Sequence, residues 1–285
     1  MISKAYPELK HDTLHDMLWR LLGRCICIRL AADAGGHLDF IEFCSGLGRL
    51  TEALLRVGMK GLAFDKIYDK DHDMTTAIGL RLWIDSLSQT RINSLTWFGT
   101  TCSPFVSLCK AQSKRRADNG YLGDTSRRFV VIGNLQMQVT SLLMFLSWLF
   151  GNVPVLEQPL NSVMPLCEPL KGTLSYIKAH RIVTWHGAFG GGSHKPLQLW
   201  TPGAAMTAMK RRRPRRSNGP ALYWQVGKKY YGKKSALKAS QAYSAAFGKA
   251  VADIVRQKVR HRQTSSDSVW EGCRRQWMAE AAEDY

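Results

Sequence analysis

Leu38 to Phe43 is a short, mostly apolar run that breaks into Cys44-Ser45-Gly46-Leu47-Gly48, and an amphipathic stretch, Leu50–Val57, follows at once. A strand, a glycine turn and a helix in such close succession form a turn that many nucleotide-binding folds share. The helix has to cross back over the strand it leaves, which predicts a βαβ unit and a parallel sheet. The next apolar run, Gly61–Phe64, supplies the second strand and closes on Asp65. Glycines let a backbone approach a ligand, and a helix N-terminus presents unpaired N–H groups, so the loop from Glu42 to Gly48 is a candidate ligand cradle.

The same alternation continues. A helical stretch is expected at Thr75–Leu82 and a strand at Leu95–Gly99, which runs into Thr100-Thr101-Cys102. A polar basic loop, Lys110 to Asp124, precedes a long apolar helix from Ser126 to Phe150. Strands follow at Val153–Glu157, His180–Trp185 and Pro196–Trp200, and a last helix at Ser240–Val259. This pattern predicts an α/β fold, a mostly parallel sheet flanked by helices. Residues 1–36 read as a helical lead-in carrying Leu14, Met17, Leu18, Leu21 and Leu22, and 37–200 as the core. Residues 201–239 read as a short basic insertion with a small hairpin (Ala221–Val226 with Lys229–Tyr231), 240–262 as the closing helix, and 263–285 as a polar tail with a short helix near Trp270–Ala282.

With 285 residues, 45% of them hydrophobic, the chain can bury one substantial core. Its formal charge of +18 points to a polyanionic partner, nucleic acid first and acidic lipid second. Residues 201–285 hold 18 Lys and Arg against 6 Asp and Glu, so the excess is concentrated there. The densest run comprises Lys210, Arg211, Arg212, Arg213, Arg215 and Arg216, a composition that serves equally as a nuclear address or as phosphate contacts. Lys228 and Lys229 flank Tyr230 and Tyr231, whose rings suit either base stacking or packing of the hairpin. Seven irregularly spaced cysteines argue against a secreted disulfide framework. The longest apolar run, Leu142 to Phe150, is short for a bilayer span. The expectation is an intracellular protein, nuclear rather than cytoplasmic, without membrane or metal. His72, His180, His186 and His194 lack metal-ligand spacing.

Three strand tips carry the candidate chemistry. Asp65, about twenty residues past the glycines, stands where a ribose diol would be gripped. Thr51 occupies the third glycine position of a dinucleotide fingerprint, which turns the reading from nicotinamide toward S-adenosylmethionine. Cys102 lies just past a predicted parallel strand, and Glu157 closes another. A thiolate and a carboxyl proton donor on neighbouring strand tips suit attack on an electron-poor ring. In the glycine-hinged segment His186 to Trp200, Lys195 is a candidate phosphate contact.

The ordered series of the Glu42–Gly48 loop, Asp65, Gly99-Thr100-Thr101-Cys102-Ser103-Pro104-Phe105, Glu157-Gln158-Pro159 and Tyr243-Ser244-Ala245-Ala246-Phe247-Gly248-Lys249-Ala250-Val251 resembles the cytosine carbon-5 DNA methyltransferases. The resemblance covers roughly residues 39–256. It implies a Rossmann-like S-adenosylmethionine-dependent methyltransferase fold with a small basic insertion, and S-adenosyl-L-methionine as cofactor. By the same resemblance Phe43, Cys44, Ser45, Gly46, Gly48 and Asp65 would hold the cofactor, with Gly248 and Val251 backing its pocket. Cys102 would add to carbon 6 of a flipped cytosine and Glu157 would protonate the ring nitrogen.

The chain departs from that pattern at Thr101 and Ser103, which flank the cysteine, at Gln158-Pro159, and in a QxRxR strand for which Arg181 is a poor substitute. Two alternatives therefore stand beside DNA methylation. One is a catalytically degenerate methyltransferase fold that binds nucleic acid, and the other is a methyltransferase acting on RNA.

Overall fold

The computed structural model describes residues 36–191, 193–214, 223–226, 229–232 and 242–262. The expected lead-in at 1–36, except its last residue, and the tail at 263–285 lie outside the described residues, as do Arg215, Arg216 and Lys228.

A six-stranded sheet organises the chain. In chain order it comprises β1 (Leu38–Phe43), β2 (Gly61–Phe64), β3 (Thr90–Phe98), β4 (Val153–Pro159), β5 (His180–Trp185) and β6 (Pro196–Thr201), in the spatial order β2-β1-β3-β4-β6-β5. β1 pairs in parallel with β2 and β3, and β3 with β4. β6 is antiparallel to both β4 and β5, between which it is inserted. The result is an α/β fold with a mostly parallel mixed sheet, compatible with a Rossmann-like fold. The small hairpin forms as β7 (Tyr223–Val226) and β8 (Lys229–Gly232).

Six α-helices are present among the described residues: α1 (Arg49–Arg56), α2 (Ala77–Ser88), α3 (Lys110–Ser113), α4 (Arg128–Leu149), α5 (Leu170–Tyr176) and α6 (Ala245–Arg262). Strand alternation divides the core in two. Ile41, Phe43, Phe98 and Leu156 point to the face covered by α2, α4 and α5, where they meet Trp83, Leu143 and Leu170. Phe40, Trp97, Val155 and Leu199 point to the opposite face and meet Leu54 of α1 and Phe247 and Val251 of α6.

The helices differ from expectation mainly in extent. α2 runs past Leu82 because Trp83, Ile84 and Leu87 continue its buried stripe. α6 starts at Ala245 rather than Ser240. α5 is unanticipated, a short helix anchored by Leu170 and Leu174. By length and composition α4 is the one helix among the described residues able to cross a membrane, longer than the apolar run read from the sequence. In this fold its Met137, Leu143, Met144 and Leu146 are core residues. Past Trp200, Met206 and Met209 are also buried, so the packed core continues to Met209 and the exposed basic stretch begins at Lys210.

Candidate active site at the carboxyl ends of the parallel strands

The chain leaves β1 toward β2 on one side and returns across it to β3 on the other, so the loops following β1 and β3 diverge. In open α/β sheets the crevice at such a reversal, outside the carboxyl ends of the strands, is where ligands bind. Both sequence-predicted loops lie there. They are pressed together, for Gly99 N–H donates to Phe43 O at 2.9 Å and a Cβ at Gly99 would stand 2.9 Å from Cys44 O.

Cys44 takes φ 57°, a left-handed conformation uncommon outside glycine and one retained more often at functional sites. Gly46 and Gly48 follow with φ 56° and 64°, and Gly48 caps α1. The loop is held from both sides. Asp65 accepts from Gly46 N–H at 2.8 Å and, through its other oxygen, from Ile67 N–H at 3.0 Å. Tyr68 donates to Gly46 O at 2.7 Å, and Ser45 N–H donates to Phe64 O at 3.1 Å. Asp65 thus braces the loop rather than standing free at a strand tip. The outer surface of the loop stays open: a Cβ at Gly46 would meet nothing within 4 Å, and Leu47, Ile67 and Tyr68 expose large apolar surfaces around it.

Beneath the loop, Glu42 is buried and accepts from Thr51 N–H at 2.8 Å and Thr51 Oγ1 at 2.6 Å. Its Oε1 has no partner among the described residues. Burial pushes its carboxyl up to about 7, against the pull of the Thr51 bonds. Burial likewise pushes the Cys44 thiol up to about 12, so Cys44 is an inert neighbour.

Cys102 is partly exposed and opens the short turn Ser103–Phe105, with Phe105 N–H donating to Cys102 O at 2.9 Å. Three charged or thiol neighbours act on it. Burial raises its thiol, Lys195 opposes that rise, and Glu157 and Cys109 add to it. Glu157, at the end of β4, is buried, and its Oε2 accepts from Tyr243 Oη at 2.9 Å. Tyr243 in turn accepts from Trp97 Nε1 at 3.0 Å. Glu157 Oε1 has no partner among the described residues. Burial, then the nearby Glu157 carboxylate, lifts the Tyr243 phenol well above its usual range, so it stays a neutral donor.

Other expected residues fall elsewhere. Phe43 is fully buried, its ring 4.6 Å from Trp83 and 5.0 Å from Phe98, so it supports the floor of the crevice without lining it. Gly248 faces α1, where a Cβ would stand 2.8 Å from Ala53 Cβ, and Val251 is fully buried beside it. These two residues allow α6 to lie close against α1 and reach no open surface. Arg181 is exposed and pairs in register with Trp200, away from Glu157.

Lys195 is half-buried, its carbonyl accepts from His186 N–H at 2.9 Å, and its charge acts on the Cys102 thiol and on His186. Lys210, Arg211, Arg212 and Arg213 are exposed, with Arg211 over the Phe189 ring at 5.1 Å and Arg213 over Trp185 at 5.6 Å. Lys229 takes part in the β7–β8 hairpin.

Sequence reasoning gave no role to Tyr243, Trp97 or Arg115. Arg115 is buried in the loop after Cys102, where it donates to Pro104 O at 2.7 Å and Asn134 Oδ1 at 2.8 Å and lies 3.9 Å from the Phe105 ring centroid. Its place in a polar basic loop disguised it as a surface charge.

No family model matches the chain, and no curated protein matches it.

Proposed function

We propose that the protein transfers a methyl group from S-adenosylmethionine to carbon 5 of a cytosine in DNA, with Cys102 as covalent nucleophile and Glu157 as proton donor. What carries this reading is that Cys102 and Glu157 stand toward the carboxyl ends of the adjacent parallel strands β3 and β4, where Glu157 and Lys195 both act electrostatically on the Cys102 thiol.

The residues around that loop fit the cofactor. The space above Gly46 is open, Leu47 and Ile67 offer apolar surface to a planar base, and the Asp65 carboxylate retains lone pairs for hydroxyls after accepting two amides. Glu42 Oε1 is a further buried acceptor below. When bound, the group supplies an electrophilic methyl. The antiparallel β6 also separates this sheet from the all-parallel dinucleotide-binding arrangement.

The chain's own residues do the rest. Lys195 offsets part of the rise that burial imposes on the Cys102 thiol, whose thiolate form bonds to carbon 6 of the base. The electron pair of the 5,6 double bond moves into the ring, and Glu157 gives its proton to the ring nitrogen and is left as carboxylate. Carbon 5 becomes the nucleophile for the methyl group. Loss of the carbon 5 proton to solvent, departure of the thiolate and return of the ring-nitrogen proton to Glu157 then restore the ring and the acid. A base inside a duplex is out of reach, so the target must be extruded. The exposed Lys210 and Arg211 to Arg213 supply phosphate contacts.

Incubation of the full chain with methyl-labelled cofactor and DNA, with RNA in parallel, tests the reading. The expected outcome is label on DNA cytosine, reduced roughly a thousandfold or more by Cys102→Ala. Label on RNA alone reassigns the acceptor. Labelling unchanged in Cys102→Ala excludes the covalent mechanism.

A further inference from the structure

Glu157 differs from an ordinary strand-end carboxylate in how its two oxygens are treated. Oε2 accepts from Tyr243 Oη at 2.9 Å, while Oε1 is buried and has no partner among the described residues. We infer that Tyr243, itself held by Trp97, assigns the two oxygens of Glu157 their separate tasks, keeping Oε2 as acceptor and leaving Oε1 to carry the proton for the base. Tyr243 is thus a positioning residue that rests on the methyltransferase reading, and it takes the place at Glu157 that Arg181, exposed on β5, does not reach.

The argument follows from donors and acceptors. An indole N–H only donates, so the bond from Trp97 Nε1 occupies the Tyr243 oxygen as acceptor and turns its O–H outward. The acceptor recorded for that hydroxyl is Glu157 Oε2. Were Oε2 to carry the proton, Tyr243 would donate to the weaker acceptor of the pair, a hydroxyl oxygen in place of the carbonyl oxygen. The Tyr243 bond therefore favours a Glu157 proton on Oε1. The Tyr243 phenol stays protonated, so the arrangement holds across the working pH range.

The chain is one-way, from Trp97 through Tyr243 to Glu157, and each link comes from a different part of the fold. Trp97 is on β3, Glu157 on β4, and Tyr243 directly precedes α6. Tyr243 is fixed further by its ring, stacked 4.8 Å from Phe247 and edge-on to Trp97 at 5.9 Å. Among the described residues, Glu42 also acts electrostatically on Tyr243, and Glu157 and Lys195 act on the Cys102 thiol.

The test uses the full chain and two readouts. In proton NMR of the wild type, the Tyr243 hydroxyl should appear as a slowly exchanging resonance with cross-relaxation to the Trp97 indole N–H, and Glu157→Gln should move it, because the acceptor of that hydroxyl changes from a carboxyl to an amide oxygen. In methyl transfer, Tyr243→Phe should lower kcat about tenfold, one hydrogen bond's worth, with KM for DNA within about twofold. Should Tyr243→Phe fail to fold, 3-fluorotyrosine at position 243 keeps shape and bonding and should shift the same resonance downfield. A folded Tyr243→Phe with unchanged kcat, or a Tyr243 hydroxyl signal indifferent to Glu157→Gln, overturns the inference. A wild type that methylates no nucleic acid defeats the functional reading instead, and the resonance experiment still decides the Tyr243–Glu157 bond by itself.

Discussion

The two faces of the sheet are built from the same strands and bury different kinds of polar group. On the face covered by α2, α4 and α5, aromatic rings close up around Phe43, and the polar groups include hydroxyls paired as Thr96 with Ser147 at 2.5 Å and Thr100 with Thr140 at 2.8 Å, and the neutral Trp83 indole N–H, which has no partner among the described residues. On the face covered by α1 and α6, the core turns polar toward the carboxyl ends of the strands, where Glu42 and Glu157 are each left with one unpartnered buried oxygen. Buried carboxylates are costly to keep and are retained where they act. One face holds the sheet together, and the other gives up part of that stability to keep two buried carboxyls at the candidate site.

Substitutions on each face separate these roles. The largest effect on folding is expected from Phe43→Ala, whose ring touches Phe64, Trp83 and Phe98. Loss of about 3 to 5 kcal/mol of unfolding free energy should follow in urea titration. A loss under about 1 kcal/mol would erase the contrast between the faces.

Next in size is a pH effect of Glu42. Its carboxyl is raised from 4.5 to about 7 in the folded chain, so between those values the folded state binds more protons than the unfolded state. The contribution is most favourable below about 4.5 and declines as pH rises toward 7, by on the order of 3 kcal/mol in total. Unfolding measured across that window in the wild type and in Glu42→Gln should show the decline flattened in the variant. The smallest effect is expected at Gly248→Ala. Its methyl would press on Ala53 Cβ and Arg49 O, while the helix itself gains from losing a glycine. A net loss of about 1 kcal/mol in thermal unfolding is expected, and a gain would show that α1 and α6 are not in close contact.

The sheet was largely legible because β1, β2, β4 and the second half of β3 are mostly apolar runs closed by turn-forming or charged residues, whereas the polar first half of β3, from Thr90 to Ser94, carries no such signal. α5 was not, since Leu170 and Leu174 are too few to establish a helical period beside Pro169 and Gly172. In the candidate site, the strand tips that carry Cys102 and Glu157 could be read, but not the company they keep. Tyr243 is 86 residues from Glu157, and no local pattern announces that bond. Asp65 illustrates a second limit: its place at the tip of β2 is a matter of sequence, whereas its engagement by Gly46 N–H depends on how two loops meet. Gly248 shows a third, for a glycine that admits a ligand and one that admits a neighbouring helix look alike in a sequence.

The late insertion of β6 between β4 and β5 has a consequence for the order of assembly. As the chain is synthesised, β1 to β4 and their helices emerge first and can build the apolar face, while the free edge of β4 waits for residues 196–201. Closing the polar face takes longer still, because the Trp97–Tyr243 bond spans 146 positions. Contacts this distant form late and slowly. A nascent chain would therefore possess its apolar face before its polar one, and Glu157 would lack its hydrogen-bond donor until Tyr243 has been added.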